Sequence, residues 1–260
     1  MPSGDVTWLG LAASLLLVGV AIALSVWRGL GLEREMVVAT VRATVQLTAV
    51  GYALQVVIDP DQPVVYAWLW VAAMVPFAAY TVSRRAPEVP TAFSLALLST
   101  AASTAVSLGV VFGFGIFPAE GRVIVPIGGM MIGNAMKDAV VASRRIVAEL
   151  SEKRPEVEAR LALGQPWQLA SRPYLRTSLR TALISQIETT KAVGLVFLPG
   201  AMTGLILAGV DPVDAVKVQA AIMFLILGAV ATNITVIGIG VTRRLFTSDH
   251  RLVRLERSAG

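Results

Sequence analysis

Five stretches of this chain run for about twenty residues or more without one Asp, Glu, Lys or Arg. They are Val6–Trp27, Gln62–Ser83, Val89–Ala119, Ala192–Val210 and Val218–Thr242. A helix that crosses a bilayer needs about 20 predominantly apolar residues, so each run is long enough to span. Two further runs of similar length carry internal charge: Val37–Ile58 contains Arg42, and Val123–Ser143 contains Lys137 and Asp138. The expected fold is all-α, a polytopic membrane protein of about seven spans. Composition agrees, because only 15% of the 260 residues are charged, against about 25% in a soluble domain. A single membrane domain over residues 1–260 is expected, with one sizeable extramembrane piece at about 148–181.

Orientation follows from the basic residues, which collect in cytoplasmic loops. With the N-terminus outside and the C-terminus inside, every Lys and Arg except Arg122 and Lys217 falls on the inner side. Asp5, Asp59, Asp61, Glu120, Asp211 and Asp214 fall outside. An even number of spans would not separate the charges this cleanly. The net charge of +5 therefore faces the lipid surface of the cytoplasmic membrane. No basic cluster is interleaved with aromatics, so no nucleic-acid partner is expected. The first run has Asp5 before it and Arg28 after it, the reverse of a signal peptide, and reads as a retained span. With no cysteine, disulfides and thiolate metal sites are excluded.

Most prolines punctuate span ends. Pro76 lies inside the third span, where it would kink the helix, and Pro199-Gly200 lies inside the sixth. A helix break there frees backbone groups, which are tolerated only against protein or a water-filled cavity. The plainer reading is a packed kink. Gly-xxx-Gly pairs at Gly109/Gly113, Gly129/Gly133 and Gly200/Gly204 permit close helix approach but arise readily from 22 glycines. In the 148–181 piece, Val157 and Leu161 share a helical face and Gly164 stops the helix. Such a helix either docks in another protein's groove or lies in the lipid interface.

Glu158-Ala159 followed by Gly164 resembles the coupling loop of ABC-type permeases, in which a helix–turn fits a cleft of the ATPase. Three more blocks carry the same resemblance. They are Arg42-Ala-Thr-Val-Gln46-Leu-Thr-Ala-Val-Gly51, Gly129-Met-Met-Ile-Gly-Asn-Ala-Met136, and Val193-Gly-Leu-Val-Phe-Leu-Pro-Gly-Ala-Met-Thr-Gly204 with Asp211-Pro212. Across nearly its whole length the chain resembles the FetB-type permease family. Bacterial members of that family are described as iron-export permeases, and plant relatives are linked to aluminium tolerance. It departs from many members at Ser185, Glu188, Leu205 and Val218-Gln219. The resemblance implies a homodimeric permease paired with cytoplasmic ABC ATPase subunits. It implies iron or another metal ion as cargo, and Glu158, Ala159, Leu161 and Gly164 as the ATPase-coupling residues.

Polar groups at membrane depth are costly, so they face protein, water or cargo. Arg42 and Gln46 lie one turn apart on span two; Arg42 either lines a polar path or snorkels to phospholipid. Asn134, Lys137 and Asp138 are spaced i, i+3, i+4, as a path lining or as a boundary pair. Glu188 and Lys191 pair with each other or reach Asp138 and Lys137. With Pro199 and Met202, these residues are the translocation-path candidates. Met130, Met131, Met136, Met202 and Met223 suit a soft metal but are more simply apolar packing. His250 is the only histidine, and no dedicated iron site is legible, so the iron assignment rests on the resemblance. No phosphate-cradling Gly-x-x-x-x-Gly-Lys-Ser/Thr occurs. No cofactor is expected in this chain, and ATP with Mg would bind the partner ATPase. The rival readings are a secondary transporter or channel for a small polar solute, an ABC exporter of a small metabolite, and a membrane scaffold. An enzyme is not expected, for no nucleophile–base or metal constellation is present.

Overall fold

Long apolar sequences rich in Leu, Ala and Met close their backbone hydrogen bonds within a helix, which is what lipid demands of them. The computed structural model describes residues 8–59, 61–195, 197–247, 249 and 251–253. Asp5, Val6, Val196 and His250, named above, and the basic residues Arg254 and Arg257 counted to the inner side lie outside this set. The described residues form nine helices, α1 Trp8–Arg28, α2 Glu33–Val57, α3 Val65–Arg85, α4 Ala92–Gly113, α5 Gly121–Glu152, α6 Arg154–Ala162, α7 Trp167–Ala192, α8 Gly200–Leu207 and α9 Pro212–Arg244. Their only β-pairing is two isolated bridges. The all-α membrane architecture is thus as expected.

The chain divides into two compact units, Met1–Gln62 and Pro63–Gly260. The first contains α1 and α2. Gly29 and Gly31 adopt φ +63° and +69° and turn the chain between the two helices. The turn is held by Ser25, whose hydroxyl donates to Glu33 Oε1 at 2.7 Å and accepts from the Leu32 N–H at 3.3 Å.

The second unit is a bundle of α3, α4, α5, α7 and α9, with α5 and α9 sharing the most extensive contact. Trp68 at the start of α3 meets Phe112 near the end of α4 edge-on at 5.4 Å, so these helices are antiparallel. Ser103 on α4 donates to the Ala229 carbonyl of α9 at 2.7 Å, and Leu95 packs on Gly240; α4 therefore runs antiparallel to α9. In lipid such a hydrogen bond contributes about 0.6 kcal/mol on average, and close packing contributes much of the rest. Close approach occurs at Gly128, where a Cβ would come within 2.8 Å of Val71, and at Gly238, where it would come within 2.7 Å of Leu179. The Gly-xxx-Gly pairs do not mark such approaches: Gly109, Gly113, Gly133, Gly200 and Gly204 have nothing within 4 Å of where a Cβ would sit, and Gly129 meets only Met74 at an ordinary 3.7 Å.

Among the described residues, six helices are long and apolar enough to cross a membrane: α1 from Gly10, α2, α3, α4, α5 and α9. The expected sixth span, Ala192–Val210, is not one helix. α7 ends at Ala192, Val193 is extended, Gly194 takes φ +88°, and only the eight residues of α8 follow. The reason is local: a left-handed glycine ends α7, and Pro199, with no N–H, sits just before α8. The 148–181 region, expected as a loop, is largely helical, being the end of α5, all of α6 and the first half of α7.

Candidate functional site

Asn134, Lys137 and Asp138 lie on α5, as their spacing implies. The Asn134 amide donates to the Met130 carbonyl one turn back at 2.7 Å, so its donor is partly consumed by its own helix. Lys137 is exposed and Asp138 half-buried. Glu188 and Lys191 at the end of α7 pair with each other at 2.9 Å, and both are exposed. No ion pair joins them to Lys137 or Asp138 among the described residues.

Beyond that pair, the α7–α8 break presents apolar side chains outward, with Leu195 93% exposed. Gly194 N–H closes the turn on the Phe197 carbonyl at 3.0 Å. α8 begins after Pro199, which offers no side-chain acceptor to the first turn. Buried Gln219 of α9 supplies one instead: its Oε1 accepts from the Met202 N–H at 3.2 Å. Met202 is itself buried. Sequence reasoning noticed Gln219 only as part of a departure from family pattern, and no local signal announced its role.

Arg42 and Gln46 lie on α2 in the first unit, and both are exposed there. Thr40, Thr44 and Thr48 each bond back to the carbonyl four residues earlier.

The helix that carries Glu158, Ala159 and Leu161 is α6, and it is firmly seated. Val157 is fully buried in the core of the second unit, and Leu161 packs against the same cluster with Trp167. Trp167 stacks on Phe246 at 5.7 Å. The apolar face that was expected to enter a partner's groove is therefore turned into this chain's own core. It is the opposite side, with Glu158, Ala159, Ala162 and Leu163, that is exposed, Leu163 to 82%. Arg154 ties α6 to the C-terminal segment: its guanidinium donates to Glu158 Oε1 at 2.6 Å and to the Leu252 and Val253 carbonyls at 2.7 and 3.2 Å. The Tyr174 hydroxyl of α7 donates to Glu156 at 3.0 Å. That bond first, and the Lys153 ammonium second, hold the Glu156 carboxyl below its usual range. Gly164, with φ +84°, ends the elbow, its N–H bonded to the Leu161 carbonyl.

A buried polar seam lies where α4 meets α9. Ser99, Thr100, Ser103 and Ser107 are buried on α4, and Asn233 is fully buried on α9. Both amide atoms of Asn233, the Thr100 hydroxyl and the Ser143 hydroxyl of α5 make no hydrogen bond to the described residues. The i, i+4, i+8 spacing of Ser99, Ser103 and Ser107 is a signal that a reading focused on charged residues passes over.

The family model described as "Uncharacterised protein family (UPF0014)" matches residues 8–246. The chain belongs to the UPF0014 family. Among similar proteins is "UPF0014 membrane protein STAR2" of Oryza sativa subsp. japonica, 38% identical over 84% of this chain and 76% of that protein. "Probable iron export permease protein FetB" of Escherichia coli (strain K12) is 33% identical over 97% of both chains. "Protein ALUMINUM SENSITIVE 3" of Arabidopsis thaliana is 33% identical over 85% of this chain and 81% of that protein. No solved structure matches the chain. The resemblance seen in the sequence is therefore a true family relationship, and this UPF0014 protein is a multi-pass membrane protein. Among its described residues no group of three or more His, Asp or Glu could hold a metal ion. Met131, Met202 and Met223 are buried side chains of the bundle.

Proposed function

We propose that this UPF0014 protein is the membrane-spanning permease subunit of an ABC-type exporter in the cytoplasmic membrane. It would work as a homodimer with separate cytoplasmic ATPase subunits, to which ATP and Mg would bind. The observation that carries the reading is the construction of α6. A short exposed helix can transmit force only if its far side is fixed. Here Val157 is buried, Arg154 is tied to the C-terminal segment, and Glu156 is tied to Tyr174. An ATPase engaging the exposed Glu158, Ala159, Leu163 and Gly164 would push on α5 and α7 together. α5 carries Asn134, and α7 leads to the break at Gly194–Pro199, so the push would reach the path candidates.

Metal cargo, such as iron, is supported by the name of the Escherichia coli relative. The orientation with the N-terminus outside is supported by the distribution of Lys and Arg. The test is reconstitution of the full chain in vesicles with its candidate ATPase. ATP-dependent movement of Fe(II) that stops in Glu158→Lys and Asn134→Leu proteins, both correctly inserted, supports the proposal. Movement driven by a proton or sodium gradient without any ATPase would replace it with a secondary transporter.

A further inference from the structure

α7 carries Arg172, Arg176 and Arg180 at i, i+4, i+8, and all three are exposed on one face. None has a hydrogen bond or ion pair with the described residues. Like charges at this spacing repel each other by a few tenths of a kcal/mol per pair, so the row is unfavourable unless an anion answers it. The three line a cavity of about 930 Å³, in the size range of sites that hold whole small molecules, about 300–1,000 Å³. Arg160 of α6 also lines it. Arg160 also acts on Tyr174 and Glu156, so it is partly engaged already.

The rest of the lining is mostly apolar: Leu179 and Leu183 of α7 and Ile234 of α9 contribute to it, together with the hydroxyls of Thr177 and Thr235, and no Asp or Glu does. The polarity is graded along α7. Guanidinium groups occupy its first half, and exposed Ile184 continues the same face beyond Arg180. A multivalent cationic end that passes into an apolar slot fits an amphiphile with an anionic head. A free anion would use only the first half, and a protein acidic patch would leave the slot unfilled.

We propose that the α7–α9 groove binds an anionic phospholipid, with its phosphodiester on Arg172, Arg176 and Arg180 and an acyl chain along Leu179, Leu183 and Ile234. Arginine forks match phosphate oxygens in pairs, and basic pockets between helices take such headgroups. The binding needs only the multi-pass membrane character of the chain and is independent of the transport reading.

The test uses the full chain in neutral detergent, observed by native mass spectrometry with added phosphatidylglycerol or phosphatidylcholine of identical acyl chains. The wild-type protein should retain phosphatidylglycerol preferentially. The R172Q/R176Q/R180Q variant should bind it roughly a hundredfold more weakly, and R176Q alone about fivefold, as expected for charges beside an anionic lipid. R243Q/R244Q, which removes two charges lining a different cavity, should keep the preference. R172K/R176K/R180K, which keeps the charges but not the paired forks, should bind more tightly than the glutamine variant and more weakly than wild type. If the triple glutamine variant does not insert, R176Q decides alone. Unchanged retention in the glutamine variants, or equal loss in R243Q/R244Q, overturns the proposal. So does inorganic phosphate stabilising the protein as strongly as the lipid through the same arginines, which would make this a free-phosphate site. Loss of a co-purifying ATPase with lipid retention intact would make it a protein contact, and would also overturn it.

Discussion

The side-chain oxygen of Gln219 accepts a hydrogen bond from the Met202 N–H at 3.2 Å, so α9 caps the first turn of α8. The bond crosses 17 residues of sequence and is buried. α8 has eight residues, too few to be stable in isolation. Its order depends on partners such as this one. Replacing a cap typically costs about 1 kcal/mol. Gln219→Leu should therefore loosen α8 and leave the rest of the bundle intact. Hydrogen exchange at residues 200–207 should accelerate about fivefold, while exchange in α3 and α5 stays unchanged.

Gly164 is constrained by its backbone. Nothing lies within 4 Å of where a Cβ would sit, yet its φ is +84°. Gly164→Val should cost about 1–2 kcal/mol, because a β-branched residue is ill suited to the left-handed region. Gly164→Asn should be close to wild type, since Asn tolerates that region. If the elbow couples to an ATPase, ATP-dependent transport should fail in the valine variant and survive in the asparagine variant. Thermal unfolding and transport assays on both proteins check the two halves separately.

Acid should loosen the α6–α7 clasp. The folded carboxyl of Glu156 titrates below its ordinary value of 4.5, chiefly because Tyr174 donates to it. A lowered folded value means the stabilisation is complete above about pH 4.5 and is lost as pH falls through the folded value. Tyr174→Phe should destabilise the clasp near pH 7, converge with wild type in acid, and shrink the pH dependence to the part that Lys153 supplies. Hydrogen exchange in residues 154–162, followed from pH 7 to pH 3 in both proteins, measures the difference.

Asn233 is fully buried and neither end of its amide bonds to the described residues. An unsatisfied buried polar group costs about 1–3 kcal/mol. Asn233→Leu, similar in volume, should therefore raise the thermal midpoint. A polar group kept at such a cost is a natural contributor to a polar path, so the same variant should transport more slowly. Faster or unchanged transport in a stabilised Asn233→Leu protein would leave the amide with no part in the path.

Asn134 shows how far the candidate site was legible. Its position on α5 followed from the apolar run around it. That its amide bonds to the Met130 carbonyl was not legible, because the spacing alone leaves both outward and back-bonded geometries open. Val157 and Leu161 were correctly placed on one helical face. Which way that face turned depended on α7 and the C-terminal segment, far along the chain. The Ser99–Ser103–Ser107 row was missed because hydroxyls hardly disturb an apolar window, yet Ser103 bonds across 126 residues to Ala229.

By itself the sequence determined membrane residence, the all-helical fold and the approximate bounds of most helices. Val65–Arg85 overlaps the expected Gln62–Ser83 to within three residues at each end, and Pro212–Arg244 brackets the expected Val218–Thr242. These properties are local: transfer of a continuous apolar window into lipid depends on composition and length, and the backbone must then satisfy itself within the segment. The tertiary structure decided that Gln219 caps α8 and that Val157 faces inward. Those outcomes depend on register between helices distant in sequence. The break in Ala192–Val210 is itself local, set by Gly194 and Pro199, but the hydrogen bond that seats the helix after it comes from Gln219, outside the run.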